Sequence, residues 1–192
     1  DSAADAVVDK ASLTFTTVNW DTGQTVTVTG ADDYFDRDDV TTVTLAVNDG
    51  SSDDAFDTVA DQDVAVTCTD DDTAGFTFTE SSGSTVVAES GGIDTFDVVL
   101  DARPESDVVL TVASSDADEA TVDAATVTFT TASWDMPQEV TVTGVDDDFN
   151  RADTTTISIA VDGASSFDAF DAVADQDVTV TCMDDDTAGF AV

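Results

Sequence analysis

The sequence predicts an all-β chain of tandem antiparallel sandwiches, and three observations carry that expectation. Apolar and polar residues alternate with period two, as in Val140-Thr141-Val142-Thr143 and Thr156-Ile157-Ser158-Ile159, and no helical stripe competes with the pattern. Clusters of Ser, Gly, Asp and Pro cut the alternating runs into short lengths. The chain also repeats itself, because 48 of residues 1–76 are identical in 115–190 at an offset of 114.

A period of 114 residues suits one domain with its own core and is too long for a solenoid repeat. Its most conspicuous copy is Asp70-Asp71-Asp72-Thr73-Ala74-Gly75-Phe76, which returns as Asp184-Asp185-Asp186-Thr187-Ala188-Gly189-Phe190. Trp20 and Trp134, Gly30 and Gly144, and Cys68 and Cys182 keep the same spacing. Counted from triad to triad, residues 73–186 form a complete unit. Residues 1–72 hold a partial unit lacking its first strands, and 187–192 open a further one. A sandwich without its first strands leaves edges unpaired and its core open. The expectation is therefore a piece of a longer polypeptide, or strands donated by an identical neighbouring subunit in a filament.

Within the complete unit, strands are expected near 75–80, 85–88, 94–100, 107–113, 125–130, 138–144, 154–161 and 177–183. Turn chemistry separates them at Ser81-Ser82-Gly83-Ser84, Gly91-Gly92, Asp101-Ala102-Arg103-Pro104 and Trp134-Asp135-Met136-Pro137. Eight short strands rich in Thr, Val and Phe in one unit point to an immunoglobulin-like sandwich. Trp20 and Trp134 precede a strand, where a large ring caps the end of a core. The loop 168–177, nearly copied from 54–63, is expected to tuck Phe170 against the core.

Formal charge is −39, from 43 acidic residues against Lys10, Arg37, Arg103 and Arg151, with no His. This balance excludes nucleic acid as a partner and disfavours an anionic membrane surface. No apolar run is long enough to cross a bilayer. Scattered acids of this density suit a protein adapted to salt, since screening relieves their repulsion. With no His, one Lys and no cysteine dyad, the usual nucleophiles and bases are missing, so no enzyme activity is expected. Alternation puts Cys68 on the face of Val64 and Val66, as a buried thiol; an inter-chain disulfide is the alternative.

The clustered acids ask for a different explanation. Three consecutive carboxylates cannot be held rigidly without a cation, and calcium accepts six to eight oxygens in irregular geometry. A second cluster, Asp32 and Asp33 or Asp146, Asp147 and Asp148, follows the Val-Thr-Val-Thr-Gly strand. In a sandwich this turn and the triad fall at the same end, where Glu89 and Asp116 or Asp118 can complete a cup of oxygens.

The Asp-Asp-Asp-Thr-Ala-Gly-Phe-Thr-Phe junction, Ala88-Glu89-Ser90-Gly91-Gly92, the Thr-Phe-Asp-Val-Val-Leu strand and Val145-Asp146-Asp147-Asp148 together resemble Calx-beta domains. These are the calcium-binding sandwiches of sodium/calcium exchangers, found also in tandem in very large bacterial surface proteins and adhesins. The resemblance implies Glu89, Asp116, Asp146, Asp147, Asp184, Asp185 and Asp186 as calcium ligands in the complete unit. In the partial unit it implies Asp32, Asp33, Asp70, Asp71 and Asp72. Arg151 and Ala152 stand where the family's calcium-sensing members carry further acids, so fewer ions are expected than in a sensor. The expected function is a structural repeat of an extracellular fibre, adhesin stalk or surface layer, rigidified by calcium at the triads. A glycan- or protein-binding adhesion domain is the alternative, hinted at by Phe167 where the first unit has Asp53.

Overall fold

Thr, Val and Phe in alternation lay one set of side chains inward and the other toward water. The structure is a computed structural model that describes residues 5–190, so residues 1–4 of the expected partial unit and 191–192 of the expected opening unit lie outside the described residues. Thirteen strands and two single-turn 3-10 helices, Asp54–Phe56 and Asp168–Phe170, make the protein all-β, with no α-helix among the described residues. No helix there is long and apolar enough to cross a membrane. The chain divides into two compact units, Asp1–Asp71 and Asp72–Val192, and the division cuts the first Asp triad.

The first unit contains β1 (Ala6–Val8), β2 (Val28–Gly30), β3 (Asp39–Leu45) and β4 (Gln62–Cys68). β1 pairs antiparallel with β2, Ala6 opposite Gly30, and β3 pairs antiparallel with β4, Asp39 opposite Cys68. Phe35 is buried here, whereas Phe15, Trp20, Phe56 and Val64 are exposed.

The second unit contains β5 (Phe76–Glu80), β6 (Thr85–Ala88), β7 (Ile93–Leu100), β8 (Val108–Ser114), β9 (Ala120–Val122), β10 (Thr126–Phe129), β11 (Gln138–Gly144), β12 (Asp153–Val161) and β13 (Gln176–Met183). Each of the eight expected strands is present, its ends displaced by at most one residue. β9 was not expected, and its three residues are too few for alternation to register. A five-stranded sheet runs β10-β8-β12-β13-β6 and a four-stranded sheet runs β5-β7-β11-β9. Their apolar faces share one core that includes Phe76, Phe96, Val98, Leu110, Phe129, Val140, Ile157, Phe170 and Val180. Phe170 is buried as expected, and Trp134 packs half-buried against the same core.

One pairing corrects the antiparallel expectation. β6 lies parallel to β13, Thr85 opposite Val180 and Met183 opposite Ala88. The cause is the turn after β5: it carries the chain from one sheet to the other instead of folding β6 back on β5. Gly83 makes that turn with φ of 79°, a left-handed backbone that glycine adopts freely.

Register gathers several strand ends at one end of this unit. Met183 faces Ala88, Asp153 faces Cys182, and Gly144 faces Ala120. At Gly144 the two sheets come close together. A Cβ added there would stand 2.3 Å from the Ala88 carbonyl oxygen, so only glycine permits this approach. The residues that follow β6, β11 and β13 and precede β9 and β12 therefore converge.

Candidate metal centre

Five of the residues in these segments are the acids Glu89, Glu119, Asp147, Asp153 and Asp184. Glu119, Asp147 and Asp153 bring carboxylate oxygens within 4.8 Å of one another. Glu89 follows β6, and its backbone N–H donates to the Met183 carbonyl at 3.0 Å. The Glu89 side chain is 1% exposed, and neither of its carboxylate oxygens has a hydrogen-bond partner. Burial, followed by the charges of Asp147, Asp184, Glu119 and Asp153, holds its carboxyl above the usual range. Glu119 is raised too, first by burial and then by Asp153, Asp147 and Asp116, with Arg151 opposing. Its Oε2 is likewise buried without a partner. An unpaired buried carboxylate costs folding energy, and a cation of matching charge removes that cost.

A second grouping adjoins the first through Asp184. Asp186 keeps a buried Oδ2 without a partner, and burial, then Asp146, Asp184, Asp148 and Asp185, raise its carboxyl. Short-range hydrogen bonds shape the loops that carry these acids. Phe149 N–H donates to Asp147 Oδ1 at 2.7 Å, and Asp186 N–H to Asp184 Oδ1 at 3.1 Å. The Asn150 amide donates to the Asp186 carbonyl at 2.8 Å, tying the turn after β11 to the triad after β13. Asp118 N–H donates to Asp116 Oδ1 at 3.1 Å, so Asp116 organises the turn that leads into Glu119.

In the first unit Asp5, Asp33 and Asp39 bring oxygens within 4.8 Å of one another, and each lies 114 residues before Glu119, Asp147 and Asp153. A cavity of about 40 Å³ there is lined by Asp5, Asp32, Asp33, Arg37, Asp39, Cys68, Asp70 and Asp71. Asp72 falls beyond the division, in the second unit. Asp70 N–H donates to Asp38 Oδ1 at 2.9 Å.

Of the acids expected as ligands, Asp147 lies in the converging trio, the charges of Asp147 and Asp184 act on Glu89, and those of Asp146, Asp184 and Asp185 act on Asp186. Asp116 borders Glu119. The expected set missed Glu119 and Asp153, and with them Asp5 and Asp39. A signal for them was present, because both positions keep an acid at the 114-residue offset while many neighbours change. Glu119 follows Asp118 and Asp39 follows Asp38, but Asp5 and Asp153 have no acidic neighbour in sequence, and none of the four falls in a run of three.

A thiol lies behind each group. Cys68 donates to the Asp5 carbonyl at 3.0 Å and Cys182 to the Glu119 carbonyl at 3.4 Å. Both are free cysteines. Burial, then Glu119 and Glu89, push the Cys182 thiol up to about 11, so it stays protonated and is a poor metal ligand at neutral pH. A disulfide from Cys182 to another chain would require opening β13. Phe167, the hint of an adhesion surface, instead packs half-buried against the core.

No protein-family model matches the chain, and no curated protein does. Among solved structures it is similar to domains 4 and 5 of the S-layer protein SbsC, at 20% identity over 83% of this chain and 62% of that one, with a TM-score of 0.42. It is similar to the E. coli chaperone DraB at 8% identity over 60% and 59% of the two chains, with a TM-score of 0.42. A third likeness is to WR4, a C. elegans MSP family member, at 16% identity over 55% and 95%, with a TM-score of 0.36. The chain thus spans less than two thirds of DraB and of the SbsC fragment.

Proposed function

We propose that the chain is a non-enzymatic structural module of an extracellular fibre, adhesin stalk or surface layer, built of consecutive immunoglobulin-like, Calx-beta-like units that calcium stiffens. The observation that carries this reading is Glu89, a carboxylate 1% exposed, without a hydrogen-bond partner, on which the charges of four other acids act. A cation removes the cost of burying such a charge, and an all-carboxylate donor set in irregular loops suits calcium best. Glu89, Glu119, Asp147, Asp153 and Asp184 would hold the ion, with Asp146, Asp185 and Asp186 beside it. Asp5, Asp33 and Asp39 would do the same in the first unit.

The stiffening follows from where these acids sit. Glu89 and Asp184 extend β6 and β13 of one sheet, whereas Glu119 and Asp147 flank β9 and β11 of the other. An ion bound by all four clamps the two sheets together at one end and fixes the chain that leaves through the triad. Binding to the ordered cup alone stabilises it by about 2.7 kcal/mol at a hundredfold excess over Kd. Extracellular modules work with Kd values of roughly 0.1–1 mM, which seawater-like calcium would saturate. The partners in this reading are neighbouring repeats of the same polypeptide and identical subunits packed alongside.

The test is a thermal melt with parallel small-angle scattering, in calcium or chelator at constant high potassium chloride, on wild type and a Glu89→Gln/Asp147→Asn variant. Calcium should raise the melting temperature and extend the wild type, and leave the variant unchanged. If salt alone gives full stability and calcium alters neither quantity, the acids serve only hydration and the reading falls.

A further inference from the structure

The first unit holds a cavity of about 430 Å³ whose lining includes Val28, Gly30, Val66, Thr67 and Cys68. Ligand sites built into proteins span roughly 300–1,000 Å³, so this volume suits a site better than a packing defect. Seven of its nine lining residues are identical at the 114-residue offset. In the second unit β6 lies against those counterparts, with Thr85 opposite Val180, Val86 opposite Thr181 and Val87 opposite Cys182. There a Cβ on Gly144 would meet the Ala88 carbonyl oxygen at 2.3 Å, whereas one on Gly30 meets nothing within 4 Å. Val28 is accordingly 37% exposed, and Val142 is 0% exposed.

The edge beside the cavity agrees with its lining. β4 pairs with β3 along one side, and among the described residues no strand pairs with the other. Such an edge offers backbone N–H and C=O groups to an incoming strand.

We propose that this cavity is a strand-acceptor site, taking an extended segment of the β6 type parallel to β4, in the register that β6 keeps with β13. The chemistry of the ligand follows from the second unit. Thr85 and Val87 are each 1% exposed, so the segment turns small β-branched side chains inward, while Val86, 40% exposed, faces out. Glu89 N–H donates to the Met183 carbonyl, a place taken by Thr69 in the first unit, and Gly144 N–H donates to the Gly92 carbonyl at 2.9 Å. The ligand is therefore Thr-Val-Val-Ala-Glu followed by a glycine turn, a strand of a sister unit. This rests on the reading of the chain as one of consecutive sister units, and not on calcium.

The experiment titrates a fluorescent synthetic peptide of residues 82–92 into the full chain, in calcium or chelator at constant potassium chloride, for wild type and Gly30→Ala. Wild type should bind it at one site, and Gly30→Ala about tenfold more weakly or worse, because the added methyl meets the strand's backbone. The variant leaves the free chain alone, since that methyl touches nothing there. A peptide carrying Val87→Asp should not bind. Register is read by mild oxidation: a peptide carrying Val87→Cys should crosslink to Cys68, and one carrying Val86→Cys should not. No binding by wild type at millimolar peptide overturns the proposal, as does equal binding by Gly30→Ala or the reverse crosslinking pattern. A wild type that sediments as a dimer and takes no peptide overturns it too, since a second copy would then close the face. A wild type that binds the peptide while calcium leaves its melting temperature unchanged supports the acceptor site even as the calcium reading falls.

Discussion

Phe56 and Phe170 occupy the same place in the repeat, 114 residues apart, yet Phe56 is 58% exposed and Phe170 is 1% exposed. Each ends the same single-turn 3-10 helix. What differs is the covering. Phe170 lies in a core to which β5, β7 and β8 contribute Phe76, Phe96, Val98 and Leu110. The strands described in the first unit correspond to β9, β11, β12 and β13, and supply no counterpart of those residues. The same contrast holds for Phe15 against Phe129, at 53% and 0%, and for Val64 against Val178, at 49% and 1%.

Phe170→Ala should therefore destabilise the second unit by about 3–5 kcal/mol, the usual cost of removing a buried ring. Phe56→Ala should change stability by no more than about 0.5 kcal/mol, as at other exposed sites. Urea denaturation at fixed calcium and salt measures both. Equal losses would mean that the Phe56 face is covered in solution.

Much of this was legible in the sequence because alternation is a local signal. It located eight strands of the second unit, and the sister acids at Asp146, Asp147, Asp184, Asp185 and Asp186 announced themselves by adjacency. The parallel pairing of β6 with β13 was not legible, since alternation carries no information about strand direction. Glu119 and Asp153 escaped for a related reason. A cup assembled from strand ends draws its members from separate segments, and an acid beside a three-residue strand looks like any surface acid. Only the three-dimensional register brings Asp153 opposite Cys182 and Glu119 beside it.

Gly30 and Gly144 offer a sharper comparison. A Cβ on Gly144 would meet the Ala88 carbonyl oxygen at 2.3 Å and its carbonyl carbon at 2.9 Å, while one on Gly30 meets nothing within 4 Å. Backbone cannot yield as a flexible side chain does, so Gly144→Ala should cost about 1–3 kcal/mol. Because it pushes on the residue before Glu89, it should also weaken calcium binding severalfold. Gly30→Ala should be close to neutral. Thermal melts with and without calcium would read both effects, and a neutral Gly144→Ala would show that the sheets stand further apart than described.

The acids at the cup also fix the sign of a pH effect. Glu89, Glu119 and Asp186 have folded-state values raised above the ordinary 4.5 and 3.8 of the unfolded chain. Without calcium, the folded state therefore binds protons first as pH falls, and stability should rise from neutral pH down toward about 4.5. Once the unfolded chain is protonated too, the gain stops. Asp9 and Asp94, lowered by hydrogen bonds from Thr27 and from Ser81 respectively, act the other way, their contribution lost as pH falls below about 3.8. With calcium bound, protons compete with the ion and the same acidification should lower the melting temperature. Glu89→Gln should flatten part of the calcium-free rise, which separates the cup from the general relief of a −39 charge. A calcium-free melting temperature that falls from pH 7 to 5 would contradict the raised values.

Coordination and mere screening differ in how they treat magnesium. The cup's acids come from five separate segments, following β6, β11 and β13, preceding β9 and opening β12. Loops of that kind give uneven distances, which calcium tolerates at about 2.3–2.6 Å, while magnesium demands a near-ideal octahedron at about 2.0–2.1 Å and gives up its water reluctantly. At equal millimolar concentration and matched ionic strength, calcium should raise the melting temperature by several degrees more than magnesium, with a Kd at least tenfold lower. The difference should vanish in the Glu89→Gln/Asp147→Asn variant, whose surface charge is otherwise almost unchanged. Equal stabilisation by the two ions in wild type would mean that they act as a diffuse counter-ion cloud around the acids, and that Glu89 is carried buried as a neutral acid instead.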